Sequence, residues 1–248
     1  MIRVAPHILI ILLMLCSFIQ QADARNLVVD LASDHVDITT GFDGSDVTLF
    51  GQTGDVVGEV AIVIQGPKKQ AVVRKKQSVF GAWINTEYMR FRDVPLFYDY
   101  ASNVRGKENR ALMKKTQIGL AGLNFTADYS DGDVEYLENF REALIRNKQE
   151  QNLFPTRAKN VEFLDEGFFR ADFTIPPNVP TGNYSVISYV LKDGEIIQQS
   201  ETMLKVAQVG LNAEMNEFAY AHAFIYGLIS VLIALFFGWG INAIGRKR

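Results

Sequence analysis

Residues 180–197 read PTGNYSVISYVLKDGEII, and this stretch decides the fold. A proline and a glycine open it, and proline cannot donate a ladder hydrogen bond, so a strand is expected to begin after them. From Asn183 to Leu191 polar and apolar side chains alternate, which is the period of a strand with one buried face. The pair Asp193-Gly194 is typical of the tight turn of a β-hairpin, and β-type residues resume directly after it. The stretch therefore predicts two long antiparallel strands.

The same strand pattern recurs towards the N-terminus. Between residues 27 and 85, short runs of β-branched and apolar residues are separated by Gly, Pro, Asp and Asn. Short strands at regular spacing, divided by turn residues, are typical of a β-sandwich. The sequence therefore predicts a mainly β fold, with an immunoglobulin-like β-sandwich as the leading topology.

A helical insertion interrupts this pattern between residues 106 and 155. Within it, apolar residues recur at helical spacing and charged residues occupy the other faces, which predicts an amphipathic helix. The apolar stripe consists of Val134, Leu137, Phe140, Leu144 and Ile145. A shorter helix is expected over residues 107–115.

An apolar segment near the N-terminus has the three-part layout of a secretory signal peptide. A single cation, Arg3, precedes an apolar run, and small residues occupy the two positions that a signal peptidase reads before Arg25. A second membrane span is the alternative, but the apolar core is short for one. The segment lacks a lipoprotein motif, because Leu15 rather than a small residue precedes Cys16. Since Cys16 is the single cysteine of the chain, the processed protein would carry no thiol.

A second apolar segment lies near the C-terminus. No charged side chain interrupts residues 218–245, and three cations follow, Arg246, Lys247 and Arg248. The length predicts one C-terminal transmembrane helix, and the positive-inside rule places its end in the cytoplasm. We therefore expect a single-pass protein of the inner membrane, with its N-terminal module in the periplasm.

Small residues recur along one face of this C-terminal segment. A strip of small side chains lets another helix approach closely, so it predicts a helix-packing face for a membrane-protein partner or for a second copy of the chain. The strip consists of Ala223, Gly227, Ser230, Ala234 and Gly238.

These patterns divide the chain into segments. The predicted segments are a signal peptide (1–24), a β-sandwich-like region (25–105), the helical insertion (106–155), a second β region that completes or follows the sandwich (156–210), a juxtamembrane linker (211–217), the transmembrane helix (218–245) and a cytoplasmic tail (246–248).

Charge is unevenly distributed, although the net formal charge is only −3. Residues 68–115 carry twelve cations against four acids. Such a surface suits anionic headgroups, a small oxyanion or a partner protein, whereas a solvated face that balances the acidic N-terminal strands is the alternative. The candidate surface residues are Arg74, Lys75, Lys76, Arg90 and Arg92. Nucleic acid is excluded as a partner by the predicted compartment.

Aromatic residues are concentrated in the same basic region. Arg90 and Arg92 flank Phe91 on alternating strand positions, so both are expected to face outward. Trp83 and Phe97 are expected in the core.

The sequence contains few residues suited to catalysis. A serine, histidine and acid triad would have to use His35, which is more simply a surface histidine between Asp34 and Asp37. An envelope enzyme that uses two carboxylates, for example Asp165 and Glu166, is an alternative, but adjacent strand residues point to opposite faces. We therefore expect a protein that is not an enzyme and that has no metal or cofactor. A purely structural envelope protein remains a further alternative.

Several motifs resemble the alphaproteobacterial "putative transmembrane protein" family. They are Gly66-Pro67, Val73-Arg74-Lys75-Lys76, Gly81-Ala82-Trp83-Ile84-Asn85, Pro95-Leu96-Phe97-Tyr98, Pro180-Thr181-Gly182-Asn183-Tyr184, Tyr226-Gly227-Leu228 and Gly238-Trp239. The resemblance implies an envelope protein and supplies no catalytic residue. Association of such proteins with genes for sulfite-exporter-like permeases implies an accessory or binding subunit of an envelope transport system.

Overall fold

The computed structural model describes residues 26–54, 58–104, 110–128, 134–210 and 218–245. The predicted signal peptide, the linker 211–217 and the tail 246–248 lie outside these residues. Strands dominate the described part of the chain, so the prediction of a mainly β fold is confirmed.

Twelve strands in the described residues form three sheets. They are β1 (Val28–Leu31), β2 (His35–Ile38), β3 (Ser45–Gln52), β4 (Glu59–Gln65), β5 (Lys68–Val79), β6 (Ala82–Pro95), β7 (Tyr98–Ser102), β8 (Thr126–Ala127), β9 (Glu162–Asp165), β10 (Phe168–Ile175), β11 (Gly182–Lys192) and β12 (Glu195–Gln208). The first sheet has the order β1-β3-β10-β9, the second β2-β12-β11-β4-β7, and the third β5-β6-β8. Neighbouring strands are antiparallel except β2 and β12, which are parallel.

The two β regions predicted on either side of the helical insertion pair with each other. In the first sheet β3 pairs with β10 from Gln52 opposite Phe168 to Ser45 opposite Ile175. In the second sheet β4 pairs with β11. The inward side chains of both sheets belong to one buried apolar cluster, which includes Leu49, Ile62, Ile64, Phe169, Phe173, Val186 and Leu204. Burial of this apolar surface is the main stabilising contribution to the fold.

Tyr184 fixes the corner at which the chain enters β11. Its ring is fully buried and packs against Phe97, with the ring centroids 5.8 Å apart. Its hydroxyl donates a hydrogen bond to the carbonyl oxygen of Pro180, four residues earlier. Burial of the ring raises the pKa of Tyr184. The hydroxyl therefore stays protonated and holds the turn that precedes the strand.

Helices occupy the segment between β7 and β9. They are α1 (Arg110–Thr116), a short 3-10 helix (Leu120–Gly122) and α2 (Val134–Glu150). Phe140 and Leu144 of the predicted apolar stripe are buried, which anchors α2. Arg141 on α2 donates hydrogen bonds of 3.0 and 3.1 Å to the carbonyl oxygens of Leu120 and Leu123. These bonds hold α2 beside the 3-10 helix.

The C-terminal segment forms a helix, α3 (Ala223–Gly245). Its side chains are exposed over residues 223–239. Within the residues that the structure describes, however, no helix combines the length and the apolar character needed to cross a membrane. The prediction of a C-terminal transmembrane helix is therefore wrong on this finding.

Candidate functional site

The predicted basic surface lies on a long hairpin formed by β5 and β6. The strands are joined by the two-residue turn Phe80-Gly81, and both residues have positive φ, at 50° and 83°. Two positive φ values are those of a type I′ turn, whose twist matches that of the flanking strands. Glycine suits the second position because it has no Cβ. The turn therefore continues the hairpin without splaying its strands.

The two faces of the hairpin differ where it joins the rest of the protein. Val73 and Met89 lie opposite each other and are buried. On the other face, Arg74 lies opposite Tyr88, and Val72 lies opposite Arg90, all of them exposed. Because side chains alternate between the faces of a strand, this outer face presents its cations to solvent together. Lys76 follows Arg74 by two positions on β5 and is also exposed. We call this surface the basic face, defined by Val72, Arg74, Lys76, Tyr88, Arg90 and Arg92.

Only part of the positive charge on the hairpin is balanced by nearby carboxylates. Lys75 Nζ lies 3.5 Å from a carboxylate oxygen of Glu87, and Arg92 Nη2 lies 3.2 Å from Asp128 Oδ1. The Arg90 guanidinium lies 5.5 Å from the centre of the Tyr88 ring, a cation–π distance. Arg74, Lys76 and Arg90 have no ion pair with any carboxylate among the described residues. These cations remain available to an anionic partner.

Beyond Val73 the hairpin projects away from the protein core. Every side chain described between residues 74 and 86 is exposed, on both faces of the two strands. Phe80 at the turn is fully exposed, and Trp83 and Ile84 are 73% and 46% exposed. The expectation that Trp83 belongs to the core is therefore wrong, whereas Phe97 is buried as expected. Trp83 does lie in a strand, β6, but no other part of the described chain covers its side chain.

A groove lies between the base of the hairpin and α2. Its volume is about 460 Å³, and its lining includes Val73, Lys75, Tyr136, Phe140 and Arg146. Arg146 adds a cation from the helix to those of β5. The groove is open to solvent, and Arg74 and Lys76 also line it, so it extends the positive surface from the hairpin to α2.

A larger cavity of about 1100 Å³ is lined by an ion pair of buried Asp99 and half-buried Lys159, which the sequence did not predict. Lys159 Nζ lies 3.1 Å from Asp99 Oδ2, and the backbone N–H of Tyr100 donates to Asp99 Oδ1. Burial raises the pKa of Asp99, while the charge of Lys159 acts in the opposite direction. Lys159 Nζ also lies 5.5 Å from the centre of the Phe173 ring. This arrangement ties the segment before β9 to β7.

His35 lies at the surface beside Asp34. Its Nδ1 lies 2.9 Å from Asp34 Oδ1, and this hydrogen bond raises the pKa of His35 and lowers that of Asp34. The nearby Ser33 hydroxyl donates to the backbone oxygen of His35 and not to its ring. The described ranges contain no group of three or more His, Cys, Asp or Glu side chains placed to hold a metal ion.

The alternative carboxylate pair lies at the β9–β10 turn. Asp165 ends β9, and its Oδ1 accepts a hydrogen bond of 2.8 Å from the backbone N–H of Glu166. Both residues are exposed. The two carboxylates therefore lie at the surface of this turn.

The predicted helix-packing strip lies on α3. Ala223, Gly227, Ser230, Ala234 and Gly238 are all exposed. A methyl group added at Gly227 or Gly238 would meet no atom of the described chain within 4 Å. The Ser230 hydroxyl donates to the backbone oxygen of Tyr226, so it is satisfied within the helix. The packing role of the strip stays a prediction.

The sequence matches the family described as "Putative transmembrane protein (Alph_Pro_TM)" over residues 26–247. The chain belongs to this family. The resemblance stated from the motifs is thereby confirmed, and the family description agrees with a membrane location. No curated protein matches the sequence.

Two solved structures are similar to the chain at low identity. The sporulation control protein Spo0M from Bacillus subtilis is 11% identical, with a TM-score of 0.30, and the alignment covers 80% of this chain and 55% of that one. The chain thus spans about half the length of Spo0M. The bacterial superantigen toxic shock syndrome toxin-1 is 11% identical, with a TM-score of 0.29, over 74% of this chain and 100% of that one.

Proposed function

We propose that this protein is an exported, membrane-associated binding module that is not an enzyme, and that it binds an anionic partner with the basic face of the β5–β6 hairpin. The observation that carries the proposal is the group of exposed cations, Arg74, Lys76 and Arg90, for which the described residues supply no carboxylate partner. Exposed cations on a projecting element attract anions over about a Debye length and orient them on approach. The family membership supports the membrane location.

The module that presents the hairpin is, in our proposal, an immunoglobulin-like sandwich. Lettered along the chain, β1, β3, β10 and β9 follow the order A-B-E-D, and β12, β11 and β4 follow G-F-C, as in an immunoglobulin domain. The hydrogen bond from Tyr184 at the start of β11 to Pro180 resembles the tyrosine corner of such domains. The hairpin and the helices are then insertions between strands C and D.

We propose the periplasm as the compartment and an envelope transport system as the setting, with a sulfite-exporter-like permease as one candidate partner. The apolar N-terminal segment supports export, and the motif resemblance supports the transport setting. The exposed surface of α3 supports contact with the membrane, with a membrane protein or with a second copy of the chain.

The location can be tested by fusing alkaline phosphatase after Val209, at the end of the described β module. We expect an active enzyme, because this phosphatase needs disulfides that form outside the cytoplasm. The control is the same fusion in a chain that lacks residues 4–19, which should be inactive. An inactive fusion to the full N-terminus, produced at normal levels, would contradict the proposed export.

The binding surface can be tested by photo-crosslinking in intact cells. A photoreactive amino acid placed at Val72, which is exposed between Arg74 and Arg90, should yield adducts that the same amino acid at Ile197 does not yield. Exposed charge pairs contribute about 0.2–1 kcal/mol each, so changing both Arg74 and Arg90 to Gln should weaken binding by about two- to thirtyfold. The adducts should also decrease as salt rises.

A matched control removes two cations elsewhere, by changing the exposed Lys114 and Lys115 to Gln. This variant should retain the Val72 adducts. Equal losses in the two variants would mean that total charge, and not the basic face, determines binding. A dimer adduct that contains only this chain would identify self-association.

A further inference from the structure

We propose that the tip of the β5–β6 hairpin inserts into the interface of an anionic lipid bilayer. Phe80, Trp83 and Ile84 would lie at the boundary of headgroups and acyl chains, with Arg74 and Lys76 at the lipid phosphates. This inference rests on the proposed function, which gives the hairpin an anionic partner, and it identifies that partner as lipid.

The first observation is the composition of the tip. Residues 77–86 carry no charged side chain, and Lys76 and Glu87 bound this stretch on either strand. Its largest side chains, Phe80, Trp83 and Ile84, are exposed to solvent. Trp83 and Ile84 are adjacent on β6 and point to opposite faces, so with Phe80 at the turn they make the tip apolar on both sides. Exposed apolar surface bordered by polar residues marks a protein or membrane interaction site. Tryptophan in particular is enriched where a membrane meets water.

The second observation is the distance between the apolar tip and the cations. An antiparallel strand rises about 3.4 Å per residue, so Lys76 lies roughly 14 Å and Arg74 roughly 20 Å behind Phe80 along the strand. Interfacial elements bury their apolar side chains about 5–10 Å into the boundary of headgroups and acyl chains. With the tip at that depth, Lys76 is at or just above the headgroups, and its long stem can reach the phosphates.

The third observation limits how deep the tip can go. Near the turn, β5 and β6 pair only with each other, Ser78 with Trp83 and Gln77 with Ile84. The third strand of this sheet, β8, pairs with β6 only at Phe91 and Arg92, far from the tip. The outer edges of both strands therefore keep unpaired backbone groups close to the tip. Open sheet edges are not tolerated in the hydrocarbon region, so the tip is suited to the interface and not to the bilayer centre.

An extended lipid surface fits the cations better than a small oxyanion does. Arg74 and Lys76 line the groove beside α2, but that groove is open to solvent and Arg90 lies outside its lining, so the three exposed cations extend along the ribbon and not around one enclosed point. A headgroup layer offers many phosphates in a plane, which such a ribbon can contact at several positions. Each Lys or Arg near an anionic membrane adds a similar amount to the free energy of membrane binding.

The test uses Trp83 as its own reporter. The chain contains two tryptophans, so the full-length Trp239→Phe variant leaves Trp83 as the single emitter. The protein is reconstituted in lipid nanodiscs with brominated acyl chains, either with phosphatidylglycerol or with phosphatidylcholine alone. We expect the Trp83 emission to be blue-shifted and quenched in the anionic discs, and to be quenched much less in the neutral ones.

Two sets of variants separate the contributions of charge and apolar tip. Changing Lys76 or Arg74 to Gln should lower the ratio of inserted to free tip about fivefold for each cation removed. Changing Phe80 to Asn should also reduce quenching, and asparagine tolerates the positive φ at this position. Circular dichroism checks that each variant is folded.

A position control tests whether the hairpin tip is specific. With both tryptophans changed to Phe and Ile197→Trp as the reporter, quenching should be absent, because Ile197 lies beside a different turn. Quenching at both positions, or no quenching of Trp83 in anionic discs, would overturn the proposal. If Trp83 shifts only in native membranes, the tip contacts a membrane protein and the lipid proposal is wrong, while charge-dependent adducts from Val72 would still support the proposed function.

Discussion

Replacing Phe169 with alanine is expected to lower the free energy of unfolding by about 3–5 kcal/mol. Phe169 is fully buried on the inner face of β10, and its ring centre lies 6.0 Å from that of Phe163. Truncation removes apolar burial and leaves a cavity between the two sheets, and the surrounding strands can close only part of it. Urea unfolding of the full chain in detergent, followed by circular dichroism, measures the effect.

The neighbouring Phe168 provides a matched control. It has the same side chain on the same strand, but it points to the opposite face, is 36% exposed and stacks on Phe50 with ring centres 6.1 Å apart. Phe168→Ala should therefore lower the free energy of unfolding much less than Phe169→Ala does. Equal losses would mean that the buried face of β10 contributes no more to stability than its outer face.

Gly51 explains why the Phe169 ring fits at this position. The two residues lie opposite each other on β3 and β10, and a Cβ at position 51 would come within 2.2 Å of the ring. Gly51→Ala should therefore destabilise the fold, typically by about 1–3 kcal/mol for overpacking. In the Phe169→Ala background the same change should cost less, because the ring is gone. Additive losses would contradict this contact.

Local patterns predicted the parts of this fold that neighbouring residues determine. The alternation before Asp193-Gly194 and the turn type specify a hairpin, and β11 and β12 form it with Asp193 and Gly194 at positive φ. The helical stripe likewise specified α2, in which Phe140 and Leu144 are buried. In both elements, residues close in sequence supply the information.

Long-range contacts could not be predicted in this way. The strand pattern of β6 continues to Trp83, but alternation does not say whether another element covers the face, and here none of the described residues does. The outward direction of Arg90 and Arg92 followed from their spacing, whereas the pairing of Arg92 with Asp128 depends on β8 lying beside β6. Lys159 meets Asp99 across about sixty residues of chain, and nothing in either local sequence predicts that contact.

Replacing Lys159 with methionine is expected to be the second most damaging of these substitutions. Methionine keeps the apolar stem but removes the ammonium group that lies 3.1 Å from Asp99 Oδ2. Asp99 is 5% exposed, so its carboxylate would be left buried without a counter-charge. Removing one partner of a buried pair costs about 3–5 kcal/mol, and we expect about 3 kcal/mol at neutral pH because Lys159 is partly exposed.

The backbone explains why this pair is fixed. The Lys159 N–H donates to the Tyr100 oxygen, and the Lys159 oxygen accepts from the Ser102 N–H. The chain before β9 is thereby held beside β7, where Asp99 lies. A methionine at position 159 keeps these backbone hydrogen bonds. The predicted loss of stability therefore reports the missing charge and not a change in the backbone.

The loss at Lys159 should depend on pH, and its sign follows from Asp99. Burial raises the pKa of Asp99 above the ordinary value of 3.8, so between 3.8 and the raised pKa the folded state binds more protons than the unfolded state. Stability from this group is present below that window and is lost as pH rises through it. Lys159 lowers the pKa of Asp99, so removing Lys159 raises that pKa further and widens this pH range.

The loss of stability in Lys159→Met should therefore shrink as pH falls towards 3.8. The Asp99→Asn, Lys159→Met double variant should be more stable than Lys159→Met at neutral pH. A deficit that is constant with pH would mean that Lys159 acts through packing on Phe173 and not through its charge.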